Sequence, residues 1–374
     1  MSTPRTDADD RPMSDLLVVD VDVHVAGHHP HWARKIAEKM EMPYSHLLHP
    51  DKGSGGFRFP STGSHSEIPE KMSVFGFEGF DTITDPDEHI QEPLVEGLGV
   101  DYPIVNITPM WDVYPDTEQI LQEMPATNDV LVEEILDAND DYFGCISIQT
   151  REPDAAVAEI ERLADHPQMV AVMIHPGGQE RGLGEARYDP IWAACEDNGL
   201  PVCFHTTATG HQWEMPGILR SMSKMPELHT LSHPWSMMWA MTSLLAQGTP
   251  AKFPDLDFVM LEAGIGWVPY MLSRLNREYS TWRSQMPLLE KMPEDYVRDQ
   301  FYFATQPLGE FNDRSHMADL IDVVGAESIM FSTDFPHFDT DNPESIRAFF
   351  SRLSEEEQAQ VFGGNAVEVF DLPV

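Results

Sequence analysis

Leu16-Leu17-Val18-Val19-Asp20-Val21-Asp22-Val23-His24 is an apolar run that turns polar at its C-terminal end. A buried parallel strand reads this way, because both of its faces are covered. Alternation along an extended chain predicts Asp20, Asp22 and His24 on one side, with valines between them. Two acids and an imidazole facing a core are costly without partners or a cation. A divalent metal at the strand end supplies that compensation. A hydrogen-bonded polar cluster with no ion is the plainer alternative.

Seven more runs of the same kind follow. They are Pro103–Ile107, Tyr142–Gln149, Val170–His175, Leu200–His205, Asp257–Glu262, Gln300–Thr305 and Ser328–Asp334. Helical stretches separate most of them: Ala155–Asp165, the segment opened by Asp189-Pro190 and stopped by Asn198-Gly199, Ser236–Gln247, Pro269–Arg283 and Asp313–Val324. Pro just inside a helix start and Gly just past its end are the expected punctuation. Eight strands alternating with helices predict a closed parallel (β/α)8 barrel of the TIM type. Residues 31–97 interrupt the alternation. Their Gly, Pro and Ser content, as in Lys52-Gly53-Ser54-Gly55-Gly56, predicts a long cap over the barrel mouth. Residues 1–15 read as a disordered lead-in, and 16–374 as the barrel domain.

Reactive residues of such a barrel sit at the C-terminal ends of the strands. Strand five ends on His205 and strand eight runs Ser332-Thr333-Asp334-Phe335-Pro336-His337. With Asp22 and His24, His205 and Asp334 make a mixed nitrogen and oxygen donor set. Such a set suits zinc first, with manganese or iron(II) as alternatives.

These pieces, in this order, resemble the amidohydrolase superfamily, in the branch of the aminocarboxymuconate-semialdehyde and hydroxybenzoate-type decarboxylases. The resemblance rests on Asp20-x-Asp22-x-His24, on His205 and on Phe253-Pro254-Asp255-Leu256 leading to Glu262-Ala263-Gly264-Ile265-Gly266-Trp267. Asp334 with its neighbours and Gly363-Gly364-Asn365-Ala366 complete it. It implies a metal-dependent hydrolase or carboxy-lyase acting on a small organic acid or aromatic, with Asp334 as a ligand that also handles a proton. The chain departs from the pattern at two places. Asp22 replaces a common histidine, and Ala263 stands where relatives carry an acid/base histidine in strand six. Alternation points the neighbouring Glu262 the other way unless a bulge intervenes.

His233, in Leu231-Ser232-His233-Pro234-Trp235, is the favoured replacement acid/base or an extra ligand, expected just before a helix at the mouth. His175, Glu262 and His337 are expected near the substrate or behind the ligands, and a structural role is the plainer alternative for His233, His175 and His337. Arg58 of the cap is a candidate partner for a substrate carboxylate. An iron-dependent oxygenase on the same barrel is the first rival reading, and a barrel that binds without turnover is the second.

The net charge of -40, from 63 acidic and 23 basic residues, excludes nucleic acid and anionic membranes as natural partners. With 41% hydrophobic and 10% aromatic residues, the acidity is not that of a disordered chain. It resembles the composition of halophilic cytoplasmic proteins. Cys145, Cys195 and Cys203 have no disulfide or zinc spacing, which fits a reducing cytoplasm. No run of about 18 apolar residues is present. The expected partner is a small-molecule substrate, with self-association into a homo-oligomer left open.

Overall fold

The computed structural model describes residues 16–26, 30–41, 87–108, 117–176, 181–206, 224–309, 311–313, 315–337 and 339–374. Eight parallel strands follow one another around a single sheet: β1 Val19–Ala26, β2 Tyr102–Thr108, β3 Phe143–Ile148, β4 Met169–Ile174, β5 Val202–Phe204, β6 Phe258–Met260, β7 Phe301–Ala304 and β8 Ile329–Met330. The sheet returns on itself where Val23 bridges Phe335, with His24 N–H donating to the Phe335 carbonyl at 2.7 Å. This is the (β/α)8 barrel.

Alternation sorts the strand residues into two apolar layers. Ala171, Met173, Cys203, Val259, Ala304 and Met330 fill the barrel interior. Val172, Ile174, Val202, Phe204, Phe258 and Met260 face the surrounding helices. Val19, Val21, Ile104 and Phe143 pack with the interior set, so the barrel interior is a filled core and not a channel. Ala366, Phe370 and Leu372 close the N-terminal end of the barrel. The Gly363-Gly364-Asn365-Ala366 segment thereby acquires a structural role. Asn365 Nδ2 donates to the carbonyls of Ala326 and Ile329 at 2.8 and 2.7 Å, and a Cβ on Gly363 would meet the Leu17 carbonyl at 2.6 Å.

The helices Pro153–Leu163, Asp189–Asp197, Val268–Trp282 and Ser315–Val324 lie within two residues of their expected bounds. One expectation is corrected. The helix expected at Ser236–Gln247 runs from Met225 to Ala246 and carries Pro234 inside it. Pro234 is a poor interior residue and reads as a boundary, but packing of Met237, Ala240, Met241, Leu244 and Leu245 holds the helix through it. The helices Thr117–Leu131, Pro293–Gln300 and Pro343–Phe349 were not anticipated.

Within 31–97, both described ends are helical and join the outer layer. Trp32 and Ile36 of Pro30–Glu38 and Ile90 and Leu94 of Asp87–Glu96 are buried. Arg58 lies outside the described residues. Among the described residues, no helix is long and apolar enough to cross a membrane.

Candidate metal centre

The C-terminal strand ends converge on one buried polar cluster. Asp22 and His24 come from β1, His205 follows β5, Glu262 follows β6 and Asp334 follows β8. Single donor atoms of Asp22, His24, His205 and Asp334 all lie within 4.8 Å of one another, and all four side chains are buried.

Asp20 is corrected. Val19 and Val21 pack into the barrel interior, whereas Val23 and Val25 face the helices. The alternation reverses at a register shift between Asp20 and Val23. A bulge of this kind re-aims side chains, and here it turns Asp22 and His24 to the mouth and takes Asp20 out of the cluster. Asp20 instead accepts hydrogen bonds from Thr333 N–H at 3.0 Å, from Thr333 Oγ1 and from Asp22 N–H at 3.1 Å. It ties the end of β8 to β1. Burial pushes its carboxyl up to about 7, against those hydrogen bonds.

Glu262 is the second correction. It faces the cluster because β6 ends at Met260 and Glu262 has left-handed backbone, φ +49°. Strand alternation no longer applies there. Its Oε2 lies 3.2 Å from His205 Nε2 and its Oε1 3.2 Å from His233 Nε2. Asp334 is also left-handed, at φ +59°. Such conformations cost a non-glycine residue energy and cluster at working sites.

The contacts within the cluster have the spacing of a coordination shell. His24 Nε2 lies 3.0 Å from both Asp22 Oδ1 and Asp334 Oδ1, and 3.1 Å from His205 Nε2. Donors held about 2.1 Å from one ion stand roughly 3.0–3.4 Å apart at octahedral or tetrahedral angles. Asp22 Oδ2 and Asp334 Oδ2 are buried with no hydrogen-bond partner among the described residues. A buried carboxylate oxygen left so is costly, and a cation relieves both. The residues present therefore fit a divalent ion.

The surroundings aim the donors. His205 Nδ1 lies 2.8 Å from the Thr206 carbonyl, which requires the hydrogen on Nδ1 and leaves Nε2 as a lone pair toward the cluster. Asn106, at the end of β2, donates from Nδ2 to Asp22 Oδ1 at 3.3 Å. His337 Nδ1 pairs with Asp334 Oδ1, and the His337 ring stacks on His24 at 4.4 Å. The His175 ring lies 5.1 Å from that of His205. Burial and the opposing charges set the titration. Burial alone would raise Asp22, but His24 and His205 hold it below the usual carboxylate range. Burial pushes Asp334 well up despite His24. His24 is raised well above an ordinary imidazole because Asp22 and Asp334 outweigh its burial, whereas burial wins at His205 and drives it well down. Burial and the His24 charge bring His337 down to about 4.

His233 lies within the helix Met225–Ala246, not before it, and its ring reaches the cluster through Glu262. Its Nδ1 lies 3.0 Å from the Ser232 hydroxyl and 3.1 Å from the His229 carbonyl, which accepts from it when that nitrogen carries a hydrogen. One further proton is then shared between His233 Nε2 and Glu262. Burial works against the imidazolium, yet the Glu262 charge holds His233 above its ordinary value. Burial and Asp334 raise Glu262. The sequence reading missed Asn106, His229 and Asp339. His229 Nε2 lies 3.2 Å from Asp339 Oδ2, at the rim. Asn106 is visible in retrospect as a lone polar residue in the apolar strand Tyr102–Thr108.

Residues 87–372 match the family model for amidohydrolases. The chain is 24% identical over 300 residues to the gamma-resorcylate decarboxylase of Rhizobium sp. (strain MTP-10005), covering 75% of this chain and 85% of that protein. The 5-carboxyvanillate decarboxylase of Novosphingobium aromaticivorans, solved with manganese and 4-hydroxy-3-methoxy-5-nitrobenzoic acid, superposes with a TM-score of 0.72 at 18% identity, covering 96% of this chain and 97% of that one. The 5-carboxyvanillate decarboxylase of Sphingomonas paucimobilis gives 0.68 at 20% identity, covering 96% and 99%. At such identities the structural likeness is one of fold.

Proposed function

The chain belongs to the amidohydrolase family, and from that premise we propose that it is a divalent-metal carboxy-lyase releasing carbon dioxide from a hydroxylated aromatic acid. The observation that carries this reading is the convergence of Asp22, His24, His205 and Asp334 in one buried cluster with two orphaned carboxylate oxygens. The substrate class follows from the similarity to a gamma-resorcylate decarboxylase over three quarters of the chain. These four residues would hold the ion. Manganese is preferred over the zinc favoured from the sequence, because Glu262 brings a third carboxylate beside the donors and oxygen ligands suit manganese. The similar 5-carboxyvanillate decarboxylase was solved with manganese.

When bound, the ion supplies a fixed positive charge that draws the substrate's oxygens and stabilises negative charge developing on them. The chain's own residues handle the proton. Ala263 has no group to offer, and the His233–Glu262 pair takes its place. His233 gives the shared proton to the ring carbon that bears the carboxylate. The bond from that carbon to the carboxylate breaks, its electron pair returns to the ring, and carbon dioxide leaves. Solvent then restores the proton to the pair. Such acid catalysis contributes about 10²–10⁴-fold. Burial of the cluster keeps bulk water from the reacting carbon. A cap role for residues 31–97, and Arg58 as a partner of the substrate carboxylate, rest on the sequence alone, since residues 42–86 lie outside the described residues. The absence of disulfide spacing among Cys145, Cys195 and Cys203 supports a reducing, cytoplasmic setting.

The test is carbon dioxide release from gamma-resorcylate and 5-carboxyvanillate by metal-loaded protein. Release that disappears on chelation and returns with manganese is the expected result. Oxygen consumption without carbon dioxide release would replace this reading with the oxygenase. Binding of the acids with no turnover under any metal would replace it with a binding barrel.

A further inference from the structure

The proposed reaction takes up a proton at every turnover, and that proton leaves from a histidine whose charge burial opposes. His233 is 3% exposed, and desolvation disfavours an imidazolium there. Glu262 offsets this at Nε2, 3.2 Å away, yet Glu262 is itself buried and competes for the same proton. A further carboxylate stands behind His229. His229 lies one helical turn before His233, and the two ring centroids are 4.3 Å apart. His229 Nε2 lies 3.2 Å from Asp339 Oδ2. Asp339 is not on that helix. It belongs to the segment after β8, where Gln306, just past β7, donates from Nε2 to its Oδ2 at 3.2 Å and to its carbonyl at 3.4 Å. Burial would raise Asp339, but the His229 hydrogen bond and charge hold its carboxyl below the usual carboxylate range.

We infer that Asp339, acting through His229, is a positioning residue that holds the His233 ring in place and keeps a proton on it. The inference rests on His233 being the acid of the proposed reaction. His229 Nε2–H, donating to Asp339, fixes the His229 ring against His233. Gln306 anchors Asp339 to the barrel wall, so the helix that carries both histidines is registered against the strand ends that carry Glu262 and the donor cluster. The charged groups that meet His233 are Glu262 from the turn after β6, Asp334 and Asp339 from the segment after β8, and His229 on its own helix. His337 lies beyond Glu262, 3.9 Å from its Oε1. Asp334 belongs to the donor cluster, and Glu262 Oε2 stands 3.2 Å from the donor His205. An ion there draws on the charge of both. Asp339 lies outside the cluster, so its charge still favours the imidazolium of His233 when the ion is bound.

The pH dependence of turnover tests this in manganese-loaded protein. Asp339→Asn keeps an acceptor for His229 and removes the charge. Its kcat should approach wild type on the acid side. Its alkaline limb should move to lower pH by on the order of one unit, with KM, bound metal and circular dichroism unchanged. Asp339→Ala removes the acceptor as well and should lose rate on the acid side too, a loss that the asparagine variant restores. NMR of imidazole-labelled, zinc-loaded protein follows His233 directly. It should show the same downward shift in Asp339→Asn with no substrate present. Coincidence of either the alkaline limbs or the His233 titrations of wild type and Asp339→Asn overturns the inference. Loss of metal from Asp339→Asn also overturns it, because Asp339 would then act on the ion. Wild type that releases no carbon dioxide removes the decarboxylase reading, and the His233 titration still decides whether Asp339 holds the proton.

Discussion

Glu262 links two histidines of different origin, its Oε1 3.2 Å from His233 Nε2 and its Oε2 3.2 Å from His205 Nε2. One of those histidines belongs to the donor cluster and the other does not. Their asparagine variants should therefore separate coordination from proton transfer. His233→Asn is expected to lower the rate about 10²–10⁴-fold with the ion retained. His205→Asn is expected to lose the ion itself. Elemental analysis beside initial rates checks both. Equal loss of metal in the two variants would make His233 a ligand and remove it as the acid.

The turn that aims Glu262 depends on a glycine two residues on. Gly264 has φ +60°, its N–H donates to the Gln306 carbonyl at 3.0 Å, and a Cβ there would lie 2.5 Å from the Pro307 carbonyl oxygen. Gly264→Ala should cost about 1–3 kcal/mol, since it combines backbone strain with a clash that rigid backbone cannot relieve. Gly266 is the control, because a Cβ there meets nothing within 4 Å. Denaturant unfolding should find Gly266→Ala within about 0.5 kcal/mol of wild type. Equal stability of the two variants would remove the close approach as the cause.

The same turn marks where the sequence stopped being readable. All eight strands were legible, because a buried parallel strand is a short apolar run whatever surrounds it. Asp22, His24, His205 and Asp334, which the structure brings together, were legible as candidates because each sits at the end of such a run. Side-chain direction was legible only where the backbone stays regular. Asp20 was misplaced by the register shift in β1, and Glu262 by its left-handed φ. The shift in β1 has no glycine or proline to announce it, and Gly264 marks a turn after β6 without saying which way Glu262 points. The helix Thr117–Leu131 was missed for a different reason. It turns polar groups inward, with Asn128 accepting from Ser147 N–H at 2.9 Å and donating to Glu159 at 2.7 Å. Gln119, Glu123 and Thr127 are buried as well. Its apolar periodicity is blurred by partners that lie far away in sequence.

At the opposite end of the barrel, Asp257 offers a pH test away from the metal centre. Burial, reinforced by Glu368, pushes its carboxyl up to about 6 from 3.8. The folded chain thus keeps a proton between these values that the unfolded chain has released. The contribution to stability is fully present below about pH 4 and is lost as pH rises through 6. Asp257→Asn should match wild type near pH 4 and exceed it by about 1 kcal/mol at pH 7–8, after discounting for solvent screening at a partly exposed group. The slope between should flatten. Urea midpoints across that range check it, and a variant less stable at pH 8 than wild type would show that the carboxylate is held favourably.

The charge of -40 makes the last expectation. Many of the chain's few cations are already engaged: Lys35 with Glu134, Lys252 with Asp189, Arg162 with Glu159 and Asp129, and Arg298 with Glu294. With 63 acids against 23 bases, most carboxylates have no cation to face. Salt acts on both populations in opposite senses. Screening weakens the exposed pairs, each worth about 0–1 kcal/mol. It also relieves the long-range repulsion among the surplus acids, as the Debye length falls from about 10 Å at 0.1 M to about 3 Å at 1 M. Surplus acids outnumber the pairs, so relief should win and the melting temperature should climb through a potassium chloride series. The melts belong in chelated buffer, so that bound metal does not add its own stabilisation. A melting temperature that stays flat or falls between 0.1 and 1 M would mean that the acids are spaced widely enough not to strain the fold, and the likeness to halophilic composition would carry no energetic weight.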